Sequence, residues 1–210
     1  MAEAMSMNLI IHAAVRRDLT RFASALASFP DGSSARAAQL HTAWKYFYGE
    51  LDYHHHGEHD IAWPALESVG VPRATLDQMD AEHERLAEAL GTADTAFAAL
   101  VNTPTAASAK DAGVAITNLQ TVVDEHLAHE EAELEPVYQA KRTTPEMKAM
   151  GRKFSKRNAK EAGNFFAWIQ NGASANERAA LRASVPPPVI TILTKLFGRN
   201  YRRTVAPVWQ

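Results

Sequence analysis

Apolar positions recur at helical spacing from the start of the chain. Leu9, Val15, Leu19, Phe22 and Leu26 share one face of a helix predicted over residues 5–28. Pro30-Asp31-Gly32-Ser33-Ser34 reads as a turn, with Ser33 or Ser34 placed to cap the next helix. That second helix is predicted over residues 35–67, with Pro64 kinking its last turn. Gly70-Val71-Pro72 ends it, and Pro72 suits the first turn of a third helix, which stops near Val101 before Asn102-Thr103-Pro104. A fourth helix is predicted over residues 105–140, again with a late proline, Pro136. Apart from the turns, no stretch alternates apolar and polar residues, so strands are not expected. Four long helices joined by short loops predict an all-α fold, an antiparallel up-down-up-down four-helix bundle over residues 1–140.

Beyond Thr144-Pro145 the pattern changes. Residues 146–170 read as one helix, first basic and then apolar through Phe165, Phe166, Trp168 and Ile169. A turn at Asn171-Gly172-Ala173-Ser174 precedes a short helix over residues 175–183, and Pro186-Pro187-Pro188 leads into a last one over 189–201. Residues 141–210 are therefore predicted to be additional C-terminal helices packed on the bundle, not a second catalytic domain.

Composition narrows the chemistry. At 210 residues the chain can build one well-buried core with a smaller annex. Its 46% hydrophobic and 22% charged content is ordinary for a soluble globular protein. There is no cysteine, which excludes disulfides, thiolate zinc sites and thiol nucleophiles, so any metal sits on nitrogen and oxygen. Residues 1–10 carry Glu3 and no basic cluster, unlike a secretory signal, and no apolar run approaches the roughly 20 residues that cross a bilayer. The expected location is the cytoplasm.

Net charge is −2 but unevenly spread. Residues 1–140 hold 8 Lys/Arg and 21 Asp/Glu, whereas residues 141–210 hold 14 and 3. Such asymmetry predicts that the basic run Lys148–Lys160 either docks on the acidic bundle or remains a solvated face. Without a recognised binding motif, it does not predict contact with nucleic acid.

The chemistry is concentrated in a repeated sentence. His54-His55-His56-Gly57-Glu58-His59-Asp60-Ile61-Ala62-Trp63-Pro64 is echoed by His126-Leu127-Ala128-His129-Glu130-Glu131-Ala132-Glu133-Leu134-Glu135-Pro136. In each copy a His precedes a Glu by four residues, and a Pro follows that Glu by six. Upstream, His12 lies 42 residues before His54 and His83 lies 43 before His126. In an antiparallel bundle all four stretches fall at one end, on the order of 10–20 Å from it at 1.5 Å per residue. His54 and Glu58 continue the apolar stripe of Phe47, Leu51, Ile61 and Ala62, and His126 and Glu130 continue that of Leu119, Val123, Leu134 and Val137. Burying such groups is costly without a partner, and a shared metal supplies one. Imidazole and carboxylate ligands suit iron, manganese or zinc. The symmetric assignment gives one ion to His12 and His54 and the other to His83 and His126, with Glu58 and Glu130 bridging.

His55, His56 and His59 fall off that face and are expected at the surface, while His129, one position off, could support a ligand from behind. Glu50 and Asp80 are candidates for the same supporting role, though weaker ones. Tyr48 and Tyr53 are expected to pack or face solvent, and Arg16 to neutralise a carboxylate or bond to water.

With these motifs in hand, residues 1–140 resemble the hemerythrin and HHE cation-binding family, in the variant with one His, His-x-x-x-Glu, one His, His-x-x-x-Glu. The resemblance implies a four-helix bundle around two iron ions, oxo- or hydroxo-bridged, with manganese or zinc as less favoured occupants. It implies His12, His54, Glu58, His83, His126 and Glu130 as ligands, and peroxide, oxygen or nitric oxide as small partners. Oxygen-carrying members have a second His where this chain has Ala87, and an Asp where it has Glu131. Losing that His opens the centre, which disfavours reversible oxygen carriage and favours reaction, above all catalase-like peroxide decomposition. The alternatives are a non-catalytic module that binds or senses iron, oxygen or nitric oxide, and a structural helical protein. Ferritin-like centres need Glu-x-x-His on two helices, a motif this sequence lacks. No membrane partner is expected, and the chain is expected to be a monomer or a homodimer.

Overall fold

The computed structural model describes residues 5–210, so Glu3, which counts against a secretory signal, lies outside the described residues. Four long helices form the body: α1 (Met7–Ala27), α2 (Ser34–Gly57), α4 (Arg73–Asn102) and α5 (Ala106–Glu133). Short α3 (Trp63–Ser68) follows α2 through a wide π-helical turn, Glu58–Ala62, and α6 (Glu135–Lys141) follows α5. The C-terminal part contributes α7 (Pro145–Phe154), α8 (Ala159–Gln170), α9 (Ala175–Ser184), α10 (Pro187–Phe197), α11 (Arg199–Thr204) and a closing 3-10 turn, Ala206–Trp209. The fold is all-α, and no strand occurs among the described residues. Nor, among them, is any helix long and apolar enough to cross a membrane.

Helix starts follow the capping residues. Ser6, Ser33 and Thr105 accept hydrogen bonds from the backbone N–H groups of Leu9, Arg36 and Ser108, satisfying donors that the first turn leaves free. Around the bundle, α1 packs on α2 and α5, and α4 packs on the same two. The α1–α2 and α4–α5 loops meet, with Gly32 N–H donating to the Pro104 carbonyl and Ala106 N–H to Asp31. This pins the end of the bundle opposite the repeated motifs. Between them lies a core in which Phe22 packs edge-on to Trp44, Phe47 and Phe97, and Trp44 stacks on Phe97.

The long helices are less continuous than their patterns suggest. Pro64 has no N–H and would clash with the carbonyl four residues back in a uniform helix. The chain widens into the π turn just ahead of it and continues as α3. Near Pro136 the fourth helix breaks at Leu134 and restarts as α6. The helix expected over residues 146–170 is two, because Asn158 caps α8 by accepting from Glu161 N–H. The one expected over residues 189–201 is interrupted at Gly198.

The C-terminal helices share the bundle's core. Trp168 donates its indole N–H to the buried carboxylate of Asp18 at 2.8 Å, and the Trp209 ring meets Phe22 edge-on. Arg36 donates to the Val208 carbonyl at 2.9 Å, closing the tail onto α2. Gly163 and Gly198 let α8 and α10 cross with their backbones nearly touching. At the other end α7 closes the bundle, with Met147 buried beside Trp63, Leu66 and Leu134. Docking is mainly apolar. Arg157 pairs with Glu50 at 2.9 Å, but Lys148, Arg152, Lys153, Lys156 and Lys160 stay exposed.

Candidate metal centre

The six residues singled out by the repeat converge at the end of the bundle closed by α7. The Nε2 atoms of His12 and His54 lie 3.4 Å apart, and those of His83 and His126 lie 3.2 Å apart. Glu58 reaches between the pairs, with one oxygen 3.1 Å from His54 and the other 3.3 Å from His83. Glu130 behaves differently. Its Oε2 lies 3.2 Å from His12, while its Oε1 accepts a hydrogen bond from Asn8 at 2.8 Å. The geometry thus departs from the symmetric assignment: Glu58 spans both pairs, whereas Glu130 serves the His12 side.

His55 is the larger correction. Expected at the surface, it is buried and stacks on His83 with ring centroids 4.3 Å apart. In a bundle α2 packs against two neighbours, so its buried arc exceeds one residue's width and admits successive positions. His54 faces α1 and His55 faces α4. His56 and His59 are exposed, as their spacing predicts. His56→Ala should therefore leave the metal content of the purified protein unchanged, as measured by elemental analysis.

Two clusters could each hold an ion: His12, His54, Glu58 and Glu130, and His55, Glu58, His83 and His126. Both Glu58 oxygens, Glu130 Oε2 and His55 Nε2 are buried without a hydrogen-bond partner. Four such orphans in one place are unusual, because buried polar atoms are nearly always paired. Cations bound at the two clusters would satisfy them, so the donor set fits the pair of metals that the motifs imply.

The outer nitrogens of two imidazoles are held from behind. His12 Nδ1 donates to Glu131 at 2.9 Å, and Arg16 secures Glu131 and Asp124. His126 Nδ1 donates to Glu82 at 2.9 Å, and His129 donates to the other Glu82 oxygen at 2.8 Å. Each carboxylate holds the Nδ1–H and so turns Nε2 inward toward the position an ion would take. Glu82 escaped the sequence reading, although it directly precedes His83. Asp80 and Glu50, considered for the same support, bond more closely to other groups. Asp80 accepts from His59 and Trp63, with His83 Nδ1 at 4.0 Å, and Glu50 accepts from Tyr46 and Arg157. Tyr53 lies under Arg157, and Lys45 lies over Tyr48.

Burial dominates the protonation of the centre. It pushes His54 down to about 3 and His83 down to about 4, and holds His55 well below its ordinary value. His12 is subject to the same burial, but Glu130 and Glu131 more than offset it and raise it to about 9. Burial and the facing Glu130 carboxylate raise Glu58 well above the usual range. For Glu130 the neighbouring imidazoles, His12 first, overcome burial and keep it ionised.

These shifts set a pH dependence for the metal-free protein. Below about 6.5 the unfolded chain protonates three imidazoles (His54, His55 and His83) that the folded chain keeps neutral. Glu58 opposes this, holding a proton that the unfolded chain has released. The contribution of His12 is already fully present below 6.5 and is lost only as pH rises toward 9. Stability should therefore fall as pH drops from about 6.5 toward 5, by about 1.4 kcal/mol per pH unit for each net proton. Urea unfolding with a chelator present measures it.

The family model described as the hemerythrin HHE cation binding domain matches residues 11–138, a span that includes every residue of both clusters. The comparisons with curated proteins and with solved structures each returned no match. A match over more than half of the chain, on a helical bundle whose His and Glu side chains meet at one end, makes this chain a member of the hemerythrin HHE cation-binding domain family.

Proposed function

We propose that the protein holds two iron ions between α1, α2, α4 and α5 and uses them to decompose peroxide. The observation that carries this reading is the convergence of buried carboxylate oxygens and imidazole nitrogens that find no partner in the protein. Nitrogen and oxygen donors without sulfur suit iron, manganese or zinc, and membership of this family favours iron among them. When bound, the ions supply one-electron redox steps and a Lewis-acidic face for a small oxygen species.

The chain's own residues supply the rest. Glu58 would hold both ions, since one of its oxygens lies toward each imidazole pair. Glu131 and Glu82 keep the Nε2 atoms of His12 and His126 directed inward. Trp63 lies parallel to His83, and Met147 and Leu134 close the end of the bundle, limiting access to small molecules. Glu82 joins buried His126 to half-buried His129, so a proton on His126 Nδ1 has a hydrogen-bonded route toward solvent.

Disproportionation suits such an enclosed site, since one peroxide reduces what another oxidises and no separate electron donor must dock. Elemental analysis should give two irons per chain, and an oxygen electrode should register oxygen release on addition of peroxide. Full loading without oxygen release would remove the enzymatic reading. Ligand-dependent spectra without turnover would then favour a module that binds oxygen, peroxide or nitric oxide.

A further inference from the structure

We propose that His55 is itself a metal ligand and makes the two ion positions chemically unequal, one rich in histidine and the other in carboxylate. The inference rests on the two-metal reading and deepens it. Three observations carry it. His55 has a ligand atom within 4.8 Å of those of Glu58, His83 and His126. Its Nε2 is buried and has no hydrogen-bond partner, an arrangement a folded chain avoids unless something else satisfies the nitrogen. Its ring is fixed, stacked on His83 at 4.3 Å and edge-on to His126 at 5.5 Å.

The division of donors follows. The position on the α4 side collects His55, His83, His126 and one oxygen of Glu58. The position on the α1 side collects His12, His54, Glu130 and the other oxygen of Glu58. Asn8 reinforces the asymmetry, because its hydrogen bond occupies the Glu130 oxygen that a symmetric bridge would need. Three imidazoles and one carboxylate favour borderline-soft divalent ions such as zinc and cobalt, whereas two carboxylates with two imidazoles favour harder ions. The two positions should therefore fill in separate steps, and the histidine-rich one should exchange first when zinc is offered.

The test is a titration of the full metal-free chain with cobalt(II), followed by visible absorption and elemental analysis. The unaltered chain should take up two ions in two distinguishable steps, and added zinc should displace one cobalt before the other. His55→Phe keeps an aromatic ring against His83 and removes the nitrogen. It should lose one step, with affinity there weakened about 10-fold or more and the other step unchanged. His55→Gln repeats the test with a smaller, polar side chain in case the phenyl ring prevents folding, which helical circular dichroism reports. Two full-affinity steps in both variants would overturn the assignment and leave His55 a packed core imidazole. Failure of the unaltered chain to bind cobalt would instead overturn the two-metal reading beneath it.

Discussion

On the proposed two-metal reading, Glu58→Ala should reduce the metal content from two ions per chain to one or none, while Glu58→Leu should make the metal-free protein more stable than its parent. The two outcomes have one cause. Glu58 is almost fully buried, both its oxygens lack hydrogen-bond partners, and it faces a second buried carboxylate, Glu130. Without a cation, the chain offsets the cost of burying this group only in part, by keeping a proton on Glu58. Replacing the group with an apolar one of similar volume should raise the stability of the metal-free chain by roughly 1–3 kcal/mol. The same change removes the one carboxylate that, among the described residues, belongs to both clusters. Elemental analysis and urea unfolding with a chelator present should thus move in opposite directions. If Glu58→Leu instead destabilised the metal-free chain, the carboxylate would have a structural role and the centre would lose its main support.

Gly163→Ala should destabilise the protein by roughly 2 kcal/mol, although alanine is the better helix former. A Cβ at position 163 would lie 2.5 Å from the Phe197 Cβ and 2.6 Å from the Leu193 carbonyl oxygen. Neither neighbour is the free end of a flexible side chain, so α8 and α10 would have to separate and lose packing. Overpacking of this kind costs typically 1–3 kcal/mol, occasionally more, against a helix-propensity gain of at most about 1. Gly91 supplies the control. It lies within α4 with nothing within 4 Å of where a methyl group would stand, so Gly91→Ala should stabilise by up to about 1 kcal/mol. Thermal unfolding of the two variants should give midpoint shifts of opposite sign.

The depth of the centre along the bundle was legible in the sequence because spacing along a helix converts directly into height. His12, His54, His83 and His126 had to share a level once the four helices alternated in direction. Lateral arrangement was less legible. Assigning each residue a single 100° direction puts His55 outside, yet the face of α2 that packs on α1 and α4 is wide enough to bury both His54 and His55. The roles of Glu130 and Glu131 also depend on atoms far apart in sequence, Asn8 for the first and the outer nitrogen of His12 for the second. Glu82 acts on His126, 44 residues away, rather than on its neighbour His83. The π turn before Pro64 has a cause that is visible in sequence, but widening and kinking are both available answers to a proline.

The exposed cations of α7, the linker after it and the first turn of α8 give the molecule an electrical character that its total charge conceals. An overall balance of −2 suggests near indifference to charged surfaces. Lys148, Arg152, Lys153, Lys156 and Lys160 nevertheless face water on a segment attached to a strongly acidic bundle. The molecule is consequently a dipole, able to adhere by one region to a cation exchanger and by another to an anion exchanger. Both kinds of adhesion should fade together as added salt shortens the screening length.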